Sequence, residues 1–156
     1  MSEATWLDPD EQAAWRAYLE STRLLFQALD RQLQADAGLS LTDYELLVHL
    51  SEAPERRMRM RDLANATFST RSGATRAVTR LEEAGFVRRV ECANDRRGTE
   101  AELTDAGAAK LASAAPGHVA AVRTHMFDLL GRRQLDQVRT IGTLIRERLL
   151  SQPEGP

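Results

Sequence analysis

At 156 residues, 42% of them apolar and 28% charged, the chain has the length of one domain and material for a modest core. No apolar run approaches the roughly 18 residues of a spanning helix, and Met1-Ser2-Glu3-Ala4-Thr5 lacks the basic and apolar regions of a secretion signal, so a cytoplasmic protein without a membrane partner is expected. A single cysteine, Cys92, excludes an intramolecular disulfide and a cysteine-based zinc cluster, and the net charge of −2 by itself weighs against nucleic acid.

In chain order, Asp8-Pro9-Asp10-Glu11 predicts a helix start, with Asp8 as cap, Pro9 at the first helical position and Glu11 completing a capping box. The apolar stripe Trp15, Tyr18, Leu19, Thr22, Leu25, Phe26, Leu29 and Leu33 follows at helical spacing and ends near Gly38. A second helix is expected from Thr42 to about Ser51, with Thr42 as cap, Glu45 three residues on, and Leu46, Leu47 and Leu50 facing the core. After Pro54, the alternating Arg56 to Arg61 reads as a short strand leading into a helix near Met60.

The run Leu63 to Leu81 reads as helix, turn and second helix. Ser69 and Thr70 are candidate caps, because a hydroxyl there accepts from N–H groups that the helix leaves unpaired. Ala74, Val78 and Leu81 would face inward, leaving Arg71, Ser72, Thr75, Arg76 and Thr79 on the opposite face near the N-terminal end. A helix that enters the major groove reads bases from that end, and arginine's planar fork matches the O6/N7 acceptors of guanine. Gly85 stops this helix, and Phe86 to Cys92 and Thr99 to Leu103 predict an antiparallel hairpin with Asn94 to Gly98 as its loop. A tip carrying Arg96 and Arg97 can reach a minor groove, with the Asp95 carboxylate holding Arg97 outward.

Charge placement overturns the argument from net charge. Eleven arginines stand against six acidic residues between Pro54 and Gly98, a local balance of +5 that leaves −7 for the remainder. Phosphate contacts are expected from Arg57, Arg59 or Arg61 and from Arg80 or Arg88.

Beyond Thr104, a further candidate cap, a long helix through Leu111, Val119, Val122, Met126 and Leu129 is expected to bend at Pro116. A last helix, about Arg133 to Leu150, puts Leu135, Val138, Ile141, Ile145 and Leu149 on one side. Two terminal segments with long apolar stripes carry more apolar face than one small module covers, which points to a homodimer.

Asp95-Arg96-Arg97 followed by Leu103-Thr104-Asp105-Ala106-Gly107 resembles the Asp-x-Arg and Leu-Thr-x-x-Gly signature of the MarR-type winged helix-turn-helix regulators. Ser69 to Leu81 is similar to that family's recognition helix and Leu63-Ala64 to its supporting helix. The resemblance implies a mostly α fold with a small β-wing, one domain over 1–156, in which 40–104 is the winged DNA-binding module. Residues 1–39 and 105–156 would be interlocking dimerisation helices. It further implies a repressor binding double-stranded DNA at a pseudo-palindromic operator. A small aromatic or phenolic effector would bind where the dimerisation helices meet the module, near Trp15, Tyr18 and Tyr44. A nonspecific architectural dimer and a ligand-independent regulator remain open alternatives.

The expected DNA-binding set is thus Ser69, Thr70, Arg71, Ser72, Thr75, Arg76, Arg61, Arg80, Asp95 and Arg97. No Gly-rich phosphate loop or Gly-x-Ser-x-Gly nucleophile is present, so neither enzymatic chemistry nor a cofactor is expected. Cys92 has no evident base to lower its pKa, and His118 and His125, seven apart, lack companion ligands; both are read as structural.

Overall fold

A computed structural model describes residues 5–67, 70–92 and 95–151, the side chains of residues 92 and 95–97 excepted. The chain divides into two compact units, Met1–Val119 and Ala120–Pro156. In the first unit, helix α1 (Pro9–Ala37) begins with the expected box: Glu11 N–H donates to the Asp8 carboxylate at 2.8 Å, and Asp8 N–H donates to the Glu11 carboxylate at 2.9 Å. It ends where Gly38 turns left-handed (φ 63°) and the Leu39 N–H closes back on the Leu33 carbonyl at 3.3 Å. Of its stripe only Leu29 and Leu33 are buried; Trp15 and Tyr18 are 52% and 54% exposed.

Helix α2 (Leu41–Glu52) starts two residues earlier than expected. Ser40, not Thr42, is the cap, paired reciprocally with Asp43 rather than Glu45, both bonds at 3.0 Å. The earlier start is held from outside the helix: the first helical N–H, that of Leu41, donates to Asp30 of α1 at 2.8 Å. Leu46, Leu47 and Leu50 are buried as the spacing predicts.

A single 3-10 turn, Pro54–Arg56, leads through the left-handed residues Glu55 and Arg56 into strand β1 (Arg57–Arg59). Helices α3 (Met60–Ala66) and α4 (Arg71–Glu83) follow; Ala77, Val78 and Leu81 of α4 share one buried core with the leucines of α2 and Leu63 of α3, and Ala74 is buried as well. Gly85, at φ 78°, ends α4: its N–H donates to the Glu82 carbonyl and the Phe86 N–H to the Leu81 carbonyl, both at 2.9 Å. Only glycine enters that conformation without a Cβ penalty, and the chain can therefore turn directly into strand β2 (Val87–Cys92).

Strand β3 (Asp95–Leu103) returns antiparallel to β2, and β1 pairs on its other edge, so the sheet order is β1-β3-β2. The alternation of Met and Arg before α3 thus supplies the third strand. The expected loop Asn94 to Gly98 is corrected over most of its length, because Asp95 to Gly98 belong to β3; Asn94 lies outside the described residues. Regular pairing would set Cys92 opposite Gly98, but Cys92 pairs with Asp95, so Arg96, Arg97 and Gly98 are extra residues bulging from β3.

Thr104 ties the next helix, α5 (Asp105–His125), to the end of α4. Its hydroxyl donates to the Gly85 carbonyl at 2.7 Å and accepts from Gly107 N–H at 3.0 Å, while its own N–H donates to the Phe86 carbonyl at 3.1 Å. Helix α5 runs unbroken across Pro116 and stops at His125, so Met126 and Leu129 fall beyond it, Leu129 in a second 3-10 turn, Phe127–Leu129. In the second unit, helix α6 (Arg132–Leu150) buries none of its residues; Ile141 and Leu144 are 53% and 62% exposed. No described helix is long and apolar enough to cross a membrane.

Candidate nucleic-acid interface

Helix α4 is set up from its first residue. Thr70 is its cap, accepting from Gly73 N–H at 3.1 Å, and its first turn holds no acidic residue to offset the positive end of the helix dipole. Arg71, Ser72, Thr75 and Arg76 are exposed there, on the face opposite Ala74, Ala77 and Val78. Among the described residues Arg71 and Arg76 have no ion-pair partner. Thr75 and Thr79 donate their hydroxyl protons to the carbonyls of Arg71 and Thr75, one turn back; the exposed Thr75 keeps its oxygen lone pairs for a partner, whereas the Thr79 oxygen accepts from Arg89. Ser69 lies outside the described residues, as do the side chains of Asp95 and Arg97.

Beside this face runs a groove of about 480 Å³, lined by Arg59, Met60 and Arg61 on one side, Thr75 and Arg89 on the other, and Gly98 and Thr99 of the wing. Arg61 leans on its neighbour Asp62 at 3.3 Å, an exposed pair worth little, so its charge stays available. Arg59 has no ion-pair partner among the described residues. Wall, helix face and wing together make a basic channel.

Other expected phosphate contacts are committed inside the protein. Arg80 donates to Asp43 of α2 at 2.7 Å, where Asp43 is buried and also serves as the α2 capping partner. The register places Glu102 of β3 directly between Arg57 of β1 and Arg88 of β2. Arg88 grips it with two bonds of 2.8 Å, and Arg57 stands at 3.3 Å. The hydrogen bond from Arg88 holds the Glu102 carboxyl below its usual range and raises the Arg88 guanidinium in return. These pairs stitch the wing sheet across its three strands and reduce the positive field that Arg57 and Arg88 offer a ligand.

Arg89 was not singled out by the sequence. Its register partner is Ala101, buried, and Val87 two residues earlier is buried opposite Leu103, so Arg89 takes a position on the helix-facing side of the sheet. It bonds there to Glu82 and Thr79 of α4. An arginine where alternation calls for an apolar residue was the available signal.

A separate cavity of about 280 Å³ lies among α1, α2 and α5, lined by Phe26, Leu29, Leu41, Tyr44, Glu45, Val48, His49 and His118. The structure brings Tyr44 to it but not Trp15 or Tyr18, which stack on each other, ring centroids 6.4 Å apart, on the exposed part of α1. Tyr44 and His118 pack ring to ring at 4.4 Å. Burial raises the Tyr44 phenol and lowers the His118 imidazole, so both stay neutral over a wider range than in water. His118 Nδ1 is buried without a hydrogen-bond partner among the described residues.

Comparison with known proteins agrees with this architecture. A family model described as MarR family matches residues 37–98. The HTH-type transcriptional repressor YetL of Bacillus subtilis is 30% identical over 115 residues, 74% of this chain and 68% of its own. Among solved structures, Sco3205, a MarR family transcriptional regulator from Streptomyces coelicolor in complex with DNA, is 47% identical with a TM-score of 0.90, covering 99% of this chain and 95% of that one. AbsC, a MarR family transcriptional regulator of the same organism, is 45% identical with a TM-score of 0.86, covering 96% of this chain and 100% of that one.

Proposed function

Because the chain belongs to the MarR family of winged helix-turn-helix transcriptional regulators, we propose that it is a cytoplasmic repressor that binds a pseudo-palindromic operator in double-stranded DNA as a homodimer. Its relatives are regulators rather than enzymes. The observation that carries the reading is the exposed set Arg71, Ser72, Thr75 and Arg76, its two arginines without an ion-pair partner among the described residues, displayed at the N-terminal end of a capped helix beside an arginine-lined groove. The DNA bound to Sco3205 and the repressor role in YetL's description support it.

Arg71, Ser72, Thr75 and Arg76 read base edges; Ser69, Thr70 and Arg61 hold the backbone. Arg97 enters the minor groove with Asp95 as its brace, and Arg80 acts chiefly by fixing α4 to α2. The exposed apolar residues of α1 and of α6 are covered by a second copy, and two reading heads then meet half-sites about one DNA turn, ~34 Å, apart. As in the division expected from the sequence, 40–104 is the DNA-binding module and 1–39 with 105–156 supply the dimer. A small aromatic effector of about one ring fits the cavity that Tyr44 and His118 line together with Phe26, Leu29, Leu41 and Val48.

Selection of bound duplexes from a random pool tests the reading. A two-fold motif is expected for the wild type, and Arg71→Ala or Arg76→Ala should weaken binding by about 1–3 kcal/mol and relax preference at single positions. Binding without sequence preference would favour the architectural alternative. Release of operator by a panel of phenolic acids, abolished in Tyr44→Ala, tests the cavity; no release across the panel favours ligand-independent regulation.

A further inference from the structure

We propose that Arg89 is a positioning residue for DNA recognition, locking the wing to the recognition helix through Glu82 and Thr79. The inference rests on the DNA-binding reading above and concerns how the two reading elements keep their mutual angle. Arg89 sits on β2 and both its partners on α4. Its Nη1 donates to Glu82 at 2.6 Å, its Nη2 to the Thr79 hydroxyl at 3.0 Å, and its backbone N–H to the second Glu82 oxygen at 3.2 Å. The Thr79 hydroxyl passes its own proton to the Thr75 carbonyl, so the chain of bonds ends on a residue of the base-reading face.

The connection between α4 and β2 otherwise rests on the core that Val87 and Leu103 share with Val78 and Leu81 and on the short left-handed turn at Gly85, tied by Thr104, all at the near end of the strand. Strand β2 is six residues long, so its two ends lie roughly 16 Å apart. A swing of about 10° would move the far end by about 3 Å, well beyond the ~0.5 Å within which a binding constellation must be held. The guanidinium lines the groove between helix and wing together with Arg59, Arg61 and Thr75. Two roles therefore compete for it, a direct phosphate contact and an internal brace. Three of its donors, counting the backbone N–H, are aimed at α4, which favours the brace.

The two roles differ in sign at Glu82. Removing an acidic side chain that pairs with an arginine of a DNA-facing groove strengthens phosphate binding if electrostatics alone acts, and the freed Arg89 would add to that gain. Loss of a brace weakens operator binding instead. The test measures affinity for the selected operator and for a random duplex at several salt concentrations, comparing wild type, Glu82→Gln and Arg89→Lys, with circular dichroism to confirm that each variant folds. For Glu82→Gln we expect a loss of about fivefold on the operator, the worth of one partly exposed charge-assisted bond. The salt slope should be unchanged, and random-duplex affinity equal or higher. Arg89→Lys keeps the charge but cannot span both acceptors, and should show the same loss with the same slope. Operator binding by Glu82→Gln as tight as wild type or tighter, or full retention in Arg89→Lys, overturns the proposal. A wild type that binds no duplex overturns the DNA-binding reading itself, an outcome the wild-type titration shows separately.

Discussion

Gly107 is one turn into α5, a position where alanine ordinarily improves a helix by about 1 kcal/mol. Here the sign should reverse. A Cβ on Gly107 would overlap the Phe86 carbonyl oxygen and stand 2.9 Å from its carbon and 2.7 Å from Leu103 Cδ1. The overlapped atom is backbone and cannot rotate away. It already accepts the Thr104 N–H, and the adjoining Gly85 carbonyl accepts the Thr104 hydroxyl that also caps Gly107. Overpacking of this kind costs about 1–3 kcal/mol, and a rigid neighbour puts it at the upper end. Subtracting the helix gain leaves Gly107→Ala about 2 kcal/mol less stable, or about 4–8 °C in Tm for a chain of this size. Thermal and urea unfolding by circular dichroism at matched protein concentration measures it. Gly117→Ala is the control, because its nearest neighbour is the Gln32 amide at 3.2 Å, the end of a flexible side chain bonded to Asp36 of its own helix rather than a backbone atom. It should melt within about 2 °C of wild type, an effect of roughly 0.5 kcal/mol. A Gly107→Ala protein that melts at or above the wild type would refute the close approach of α5 to the end of α4.

Two further outcomes are expected. Asp43→Asn removes the charge-assisted bond from Arg80 while keeping the side-chain volume, and should cost about 1 kcal/mol. A double-mutant cycle with Arg80→Ala isolates the pair, and zero coupling would show that it does not hold α4 to α2. For pH, burial keeps the folded His118 below its ordinary value of 6.5, so the unfolded chain takes up the proton first. Stability is therefore unaffected by His118 well above pH 6.5 and falls as pH drops through 6.5 toward the lower folded value. His118→Gln should flatten that part of the stability curve, and an unchanged curve would count against burial of the ring. Tyr44 gives the alkaline counterpart: its raised pKa means stability is lost as pH rises past 10.0, where the unfolded phenol ionises first.

Much of the recognition helix was readable before folding. Thr70 lies three residues from the N–H it caps, and Ala74, Val78 and Leu81 recur at the helical period, so which face of α4 looks outward follows from short spacings. The α1 box of Asp8 and Glu11 is equally local. At α2 two boxes compete, Ser40 with Asp43 and Thr42 with Glu45, and local chemistry does not choose. Asp30, eleven residues away on another helix, accompanies the first. The wing's strands were visible in their β-branched alternation, whereas the three-residue bulge at Arg96 to Gly98 depends on how β3 meets β2.

The arginine-rich centre marked a basic module but did not sort its arginines. Arg57 and Arg88 face Glu102 only because three strands align in register, and Arg80 meets Asp43 across 37 positions. The aromatics divide likewise: Trp15, Tyr18 and Tyr44 look alike as helical residues, yet only Tyr44 reaches the cavity. What the sequence determined by itself were the features carried by hydrogen bonds three or four residues long and by periodic apolar faces. Tertiary structure decided which charges remain free for a partner, because an ion pair or a cavity wall forms only where distant elements pack.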